Sequence, residues 1–117
     1  DYCVISLSDL MTPWDLIEKR LAAAAMGDFC MAIYNPSSHN RADYLKRACD
    51  ILLKNGVEPE RACGYVENIG RDNTKATTCR LEELKERQVN MFTTVFIGNS
   101  RTKIIDGKLV TPRGYNI

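Results

Sequence analysis

The sequence is poor in the residues that build metal sites and activated nucleophiles. It has one histidine, His39, and its five cysteines never form a C-x-x-C pair. A zinc site needs clustered Cys or His ligands and a serine nucleophile needs an adjacent base, so neither metal binding nor Ser–His hydrolysis is indicated. The odd number of cysteines argues against a disulfide framework. We expect reduced thiols that pack as small hydrophobic residues in a cytoplasmic protein.

Strong charge and long apolar runs are also lacking. Sixteen Lys and Arg against fifteen Asp and Glu give a net charge of +1, which favours neither a nucleic acid nor an anionic membrane as partner. No apolar stretch approaches the ~20 residues of a membrane span, and we see no signal-peptide pattern. The length of 117 residues, 44% of them apolar, predicts a single domain. Because the chain begins with Asp1 and enters an apolar strand at once, we interpret it as a domain cut from a longer protein.

Strand and helix patterns alternate along the chain. Apolar runs predict strands over residues 2–7, 29–34, 61–69 and 93–97. Amphipathic spacing predicts a helix that Thr12 caps and that ends near Met26, a second from about Arg41 to residue 55, and a short one around Leu81 and Leu84. Residues 70–76 are expected to form a polar loop. Residues 102–111 predict a hairpin with Asp106-Gly107 at the bend.

This order of elements indicates an α/β fold. We expect a three-layer sandwich in which a mixed sheet of about five strands carries helices on both faces and a C-terminal hairpin. Ligands of such sheets bind at the carboxyl ends of strands. That rule selects four segments, each of which is otherwise an ordinary turn: Ser8-Asp9, Tyr34-Asn35-Pro36, residues 68–71 and Gly98-Asn99-Ser100.

No catalytic motif adds to this picture. The sequence has no glycine-rich phosphate loop, no G-x-S-x-G and no H-E-x-x-H. Ser6, Ser8 and Asp9 lie close together but lack a histidine partner. Residue chemistry alone therefore leads to an α/β domain whose polar strand-end loops line a cleft.

Six sequence blocks carry a resemblance to a known family. They are CVISLSDL at 3–10, TPW at 12–14, IEKRL at 17–21, YNP at 34–36, TTV with IGNS within 93–100, and TPRGY at 111–115. In order and spacing they resemble the precorrin-3B C17-methyltransferases, tetrapyrrole methylases of the cobalamin pathway. The resemblance identifies residues 1–117 as the C-terminal domain of a two-domain enzyme whose N-terminal domain is absent from this sequence.

The resemblance implies a reaction and its cofactor. It implies transfer of a methyl group from S-adenosylmethionine to C-17 of precorrin-3B or cobalt-factor III, with ring contraction, in a homodimeric enzyme. The cofactor would lie between the two domains, and the glycine-rich cofactor loop would belong to the N-terminal one, so this chain alone is expected to be inactive. In this chain the family pattern implies cofactor contacts from six residues: Tyr34, Asn35, Asn68, Ile69, Thr93 and Thr94.

Few catalytic side chains are needed for such a reaction. The sulfonium already activates the methyl group, so alignment matters more than a base. Ring contraction adds proton transfers, for which Asp9 and Tyr34 are candidates; the alternatives are a structural cap and a stacking wall. Three arginines are candidates for substrate carboxylates or for solvated surface positions: Arg71, Arg101 and Arg113.

The sequence departs from the family pattern at 37–40 and 67–75, so the resemblance assigns no contact to His39, Arg71 or Asp72. The alternative function is a non-catalytic α/β module that dimerises through an exposed sheet edge.

Overall fold

The computed structural model describes residues 1–37 and 43–112. Within these residues ten elements follow one another: β1 Tyr2–Ser6, α1 Trp14–Met26, β2 Cys30–Tyr34, α2 Tyr44–Lys54, β3 Ala62–Glu67, β4 Lys75–Arg80, α3 Leu81–Leu84, β5 Thr93–Ile97, β6 Lys103–Ile105 and β7 Lys108–Val110.

Strands β1 to β5 form one mixed sheet, in which their spatial order is β1-β2-β5-β3-β4. β1 and β2 are parallel, and β5 is antiparallel to both of its neighbours, β2 and β3. The carboxyl ends of β1, β2 and β3 and the amino end of β5 therefore lie together, at what we call the upper end of the sheet. The carboxyl end of β5 lies at the lower end.

One face of the sheet carries the core. Alternate strand residues such as Met31, Ile33 and Val95 are fully buried there and join the apolar sides of the helices in a single cluster. Ile17 and Leu21 of α1 and the buried side of α2 complete it. The period of two along strands and of about 3.6 along helices produces this arrangement.

The predicted fold class is confirmed, but the prediction of helices on both faces of the sheet is wrong. The other face, which we call the open face, carries the alternate residues; Tyr2 and Val4 are 67% and 72% exposed there. Apolar residues at successive strand positions usually mark a strand buried on both sides, which explains the error. The third layer is instead supplied in part by the hairpin β6–β7.

The hairpin is confirmed with its predicted bend. Asp106 and Gly107 have φ values of 51° and 73°, the left-handed pair that a two-residue hairpin turn requires. Leu109 lies over Gly64 of β3, where an added Cβ atom would be 2.9 Å from the Thr77 carbonyl oxygen and 3.3 Å from Leu109 Cδ1. Glycine at this position thus lets the hairpin approach the sheet.

Local boundaries differ from the prediction at three places. The sequence analysis did not predict β4. Its first two residues, Lys75 and Ala76, fall in the predicted polar loop, and no strand is predicted over the rest. α1 begins after Pro13, which is the N-cap, and no side chain caps the helix, so the expected Thr12 cap is wrong. The predicted start of α2 at Arg41 lies outside the described residues, and the helix is seen from Tyr44.

The cysteines behave as core residues. Cys30, Cys49, Cys63 and Cys79 are buried, Cys3 is half-buried, and all five are free thiols. Burial raises the pKa of Cys49 to about 12 and raises that of Cys63 and Cys79. In the part of the chain that the structure describes, no helix is long and apolar enough to cross a membrane.

Candidate functional site

A row of side chains crosses the open face at the upper end of the sheet. Ser6 pairs with Tyr34, and Val66 pairs with Thr94. Ile33 pairs with Val95 between antiparallel strands, so Tyr34 and Thr94 are opposite each other. The fold therefore brings two of the predicted cofactor-binding residues, from distant parts of the sequence, into one row.

The chain leaves β2 through a left-handed residue. Asn35 has a φ of 53°, and its Nδ2 donates to Ser6 Oγ at 3.2 Å. The same oxygen accepts from the Ser8 amide at 3.2 Å, and the Leu7 amide donates to the Tyr34 carbonyl at 3.1 Å. These bonds hold the ends of β1 and β2 in a fixed relation.

The chain leaves β3 in the same way. Asn68 has a φ of 56°, and its amide donates to the Phe92 carbonyl at 3.2 Å. Its carbonyl accepts from Thr74 Oγ1 at 2.8 Å. Ile69, the next residue, is 53% exposed. Asn tolerates the left-handed conformation better than most residues. Non-glycine residues in that conformation are nevertheless uncommon and concentrate at functional sites. The two asparagines therefore mark the upper end of the sheet as a candidate site.

The two threonines that begin β5 face opposite ways. Thr93 is 2% exposed, and its hydroxyl donates to Asn90 Oδ1 at 3.1 Å. Only the backbone of Thr93 is thus placed to meet a ligand. Thr94 lies on the open face, half-buried, where its side chain is accessible.

An open cleft of about 350 Å³ lies beside this row. Tyr34, 45% exposed, forms one wall, and the loop after β1 forms another with Leu10 and Met11, which are 86% and 90% exposed. Arg20 of α1 also lines it. Apolar side chains around a cleft with a few polar groups are typical of ligand sites.

Asp9 is anchored beside the cleft. Its Oδ1 accepts a hydrogen bond from the Tyr44 hydroxyl, and Asp9 is not among the residues that line the cleft. Tyr44 stacks on Trp14 with ring centroids 5.5 Å apart, and the Arg47 guanidinium lies 4.2 Å from the Trp14 ring centroid. This contact favours the structural alternative for Asp9, whereas Tyr34 lines the cleft.

The fourth strand-end segment lies elsewhere. Gly98-Asn99-Ser100 follows β5, which runs antiparallel, so it is at the lower end and not near the other three. The strand-end rule selected this segment because the direction of β5 in the sheet cannot be predicted from the sequence. The expectation that all four segments line one cleft is wrong for this segment.

An ion-pair network occupies the lower end instead. The buried guanidinium of Arg61 binds both Glu58 carboxylate oxygens, at 2.6 and 2.9 Å, and the Gly98 carbonyl at 3.0 Å. Asp28 accepts from the Ser100 amide at 2.8 Å and from its hydroxyl. These hydrogen bonds, with the nearby arginine, lower the pKa of Asp28, and Arg61 lowers the pKa of Glu58.

The predicted arginines are separated by the fold. Arg71 is at the upper end, where its guanidinium lies 4.2 Å from the Phe92 ring centroid. Arg101 belongs to the lower turn. Arg113 and His39 lie outside the described residues. Over residues 1–37 and 43–112, no group of three or more His, Cys, Asp or Glu side chains is placed to hold a metal ion.

Known proteins similar to this chain were found by sequence. A scan against protein-family models finds no match. The probable cobalt-factor III C(17)-methyltransferase of Salmonella typhimurium is 40% identical over 117 residues, which are 100% of this chain and 48% of that protein. The precorrin-3B C(17)-methyltransferase of a Sinorhizobium species is 35% identical over 98% of this chain and 47% of its own length. The cobalamin biosynthesis protein CbiHC of Archaeoglobus fulgidus is 44% identical over 99% of this chain and 25% of its own length.

Solved structures agree with these matches. The crystal structure of the methyltransferase CobJ superposes with a TM-score of 0.84 at 34% identity, over 96% of this chain and 46% of that one. A uroporphyrin-III C-methyl transferase of Thermus thermophilus, solved with S-adenosyl homocysteine, has a TM-score of 0.64 at 17% identity over 84% of this chain and 41% of its own, a likeness of fold alone.

The chain thus has the fold of one domain of a tetrapyrrole methyltransferase. Within that class it is related along nearly its whole length to the cobalt-factor III and precorrin-3B C17-methyltransferases, and these relatives confirm the resemblance that the six blocks indicated. The chain spans about half the length, or less, of the curated relatives it matches.

Proposed function

We propose that this chain is the C-terminal domain of an S-adenosylmethionine-dependent methyltransferase. In the complete enzyme it would methylate C-17 of precorrin-3B or cobalt-factor III with ring contraction during cobalamin biosynthesis. The observation that carries the proposal is that six residues lie at one end of the sheet: Tyr34, Asn35, Asn68, Ile69, Thr93 and Thr94. Of these, Tyr34 also lines the open cleft.

The geometry suits one wall of a cofactor site. Asn35 and Asn68 turn the backbone sharply at the ends of β2 and β3, the two strands that flank β5 in the sheet. Tyr34 adds an exposed ring of the kind that packs against a flat or apolar ligand group. Because the sulfonium supplies the reactive methyl group, the work of this domain is to orient the cofactor and exclude water.

The opposite wall would come from the N-terminal half of the complete protein. Relatives about twice as long as this chain support that partner and a tetrapyrrole substrate. We also retain the homodimer as a proposal for the complete enzyme. Free, mostly buried thiols favour a reducing, cytoplasmic location.

Calorimetric titration with S-adenosylmethionine tests the shared site. We expect the 117-residue chain to bind weakly or not at all, and the full-length protein that contains it to bind tightly. In the full-length protein, Tyr34→Ala should lower the affinity about tenfold, a loss of ~1.4 kcal/mol. Met26→Ala is the control, because Met26 is 81% exposed at the far end of α1, and its affinity should stay unchanged.

Two results would count against the proposal. One is tight binding by the 117-residue chain alone. The other is a full-length protein that binds the cofactor but adds no methyl group to cobalt-factor III or precorrin-3B, as followed by mass spectrometry of the tetrapyrrole.

The alternative, a dimerisation module, has one specific observation in its favour. β1 pairs only with β2 among the described strands, so its outer backbone groups are open to another strand. Sedimentation of the 117-residue chain distinguishes the two functions. The dimerisation module is supported if the 117-residue chain forms a stable dimer and the full-length protein binds no cofactor. A monomeric chain argues against the module.

A further inference from the structure

The two sides of this domain differ in charge. On β1, β2 and β5 the side chains of the open face are uncharged: Tyr2, Val4, Ser6, Cys30, Ala32, Tyr34, Thr94 and Phe96. The helices on the opposite side expose charged residues such as Glu18, Lys19 and Asp50. A sheet that faces water normally has polar residues on its outer side, whereas half of these eight residues are apolar and none is charged. The open face is therefore built to be covered.

The hairpin covers only part of this face. Leu109 lies over Gly64, and Thr102 and Thr111 approach the Cys30 sulfur at 3.8 and 3.6 Å near the lower end. Val4 of β1 remains 72% exposed. The uncovered part is continuous with the upper row that holds Tyr34 and Thr94.

We propose that the open face of the sheet is the docking surface for the N-terminal half of the same polypeptide. The proposal rests on the proposed function: if Tyr34 and Thr94 bind a cofactor that the N-terminal half also holds, that half stands above this face at its upper end. Val4, Ala32 and Phe96 then lie directly beside the shared site and are covered by the same neighbour.

The size of the face argues for a linked neighbour over a second copy. Five strands spaced ~4.8 Å apart, each five or six residues long at ~3.3 Å per residue, give a projected area on the order of 400 Å². Stable complexes of separate proteins bury about 800 Å² per partner. A covalently linked half needs less, because its effective concentration reaches about the millimolar range. The relatives are about twice the length of this chain, which leaves room for a second unit of similar size.

Hydroxyl-radical footprinting of the 117-residue chain and of the full-length protein tests the proposal. We expect oxidation of Tyr2 and of the Val4 peptide to be at least fivefold slower in the full-length protein, at concentrations where sedimentation finds a single species. Met26, on the charged side, is the control and should react equally in both proteins. Both proteins are probed without cofactor, because bound cofactor would also protect Tyr34 and Val4, which line the cleft.

Three outcomes would overturn the docking surface. The first is equal oxidation of Tyr2 and Val4 in the two proteins. The second is protection that already exists in the 117-residue chain and disappears on hundredfold dilution, which would assign the face to a second copy. The third is protection of Met26 in place of Tyr2.

A substitution gives an independent test. Val4→Lys should leave the thermal stability of the 117-residue chain unchanged, since Val4 is mostly exposed, but should split the single unfolding transition of the full-length protein into two. Met26→Lys should do neither. A single unsplit transition in the Val4→Lys protein contradicts the proposal.

Cofactor titration of the same full-length preparation separates the two proposals. Cofactor binding without protection of Tyr2 and Val4 rejects the docking surface and leaves the proposed function intact. Protection without any cofactor binding rejects the proposed function and supports the surface.

Discussion

Two asparagines at the upper end combine backbone strain with a site position. Asn35 and Asn68 both adopt the left-handed conformation, which costs an ordinary residue roughly 1 to 2 kcal/mol and glycine almost nothing. Within the described residues the Asn68 side chain makes no hydrogen bond that would offset this cost. Its conformation therefore depends on its backbone groups: the amide donates to the Phe92 carbonyl, and the carbonyl accepts from the Thr74 hydroxyl.

Substitution of Asn68 tests this strain. We expect the Asn68→Gly chain to exceed the Asn68→Ala chain in free energy of unfolding by about 1 kcal/mol, as measured by urea denaturation. Glycine is the matched control because it also removes the side chain. Equal stability of the two variants would mean that the left-handed conformation is not maintained in solution.

The hydrogen bonds between Asp28 and Ser100 make the stability of the fold sensitive to acid. Its pKa is lowered in the folded chain, first by the Ser100 hydroxyl and then by the Ser100 amide and Arg61. A carboxyl whose folded pKa lies below its unfolded value stabilises the fold above the unfolded pKa. That stabilisation is lost as the pH falls through the lower, folded pKa.

Asp28→Asn should therefore be more destabilising at neutral pH than in acid. We expect a loss of up to about 1 kcal/mol in the free energy of unfolding at pH 7, as for partly exposed charged pairs, and a smaller loss near pH 3, below the unfolded pKa of the carboxyl. Urea titrations at the two pH values measure both. Asp72→Asn, at an exposed loop position, is the control; a constant difference for Asp28→Asn across pH would contradict the assignment.

Among the elements, the hairpin β6–β7 is held to the sheet by few contacts. Leu109 fills the space above Gly64, and the hydroxyls of Thr102 and Thr111 are 2.7 Å apart near Cys30. Apart from these contacts the hairpin is largely exposed, which is typical of a segment that opens locally before the whole domain unfolds.

Truncation of Leu109 should release the hairpin without unfolding the sheet. In Leu109→Ala we expect hydrogen exchange of residues 103–110 to be about fivefold faster, as a local loss of ~1 kcal/mol implies. Exchange in β2 and β5 should be unchanged. Ile105→Ala, a hairpin residue in the next register pair, should have no such effect. A uniform increase across the chain would show that the hairpin and sheet unfold together.

On the scale of the whole molecule, the sequence predicted most of the fold. β5 was predicted with its observed bounds because Thr93-Thr94-Val95-Phe96-Ile97 is a short, β-branched apolar run. α1 was predicted because Ile17, Leu21 and Ala24 recur at helical spacing. β4 was missed because Lys75-Ala76-Thr77-Thr78 has little apolar character; such polar edge strands avoid unwanted pairing.

The candidate site was predictable in composition but not in arrangement. Polar residues after apolar strands selected Tyr34-Asn35 and residues 68–71, and the fold brings both to one end. The direction of β5 depends on its pairing with β2 and β3, which no local pattern encodes, so Gly98-Asn99-Ser100 was grouped with them in error. The contact between Asp9 and Tyr44 joins residues 35 positions apart and has no signal in the sequence.

The position of β1 has a consequence for how the complete polypeptide is made. β1 is an edge strand with no lysine or proline among its five residues, so it lacks the usual protection against pairing with a stray strand. Ribosomes deliver ~5–20 residues per second, and N-terminal domains fold first. If the N-terminal half comes first in the complete protein, it is already folded when β1 emerges and can shield the strand within seconds of its synthesis, an order of events that expression of this half by itself removes.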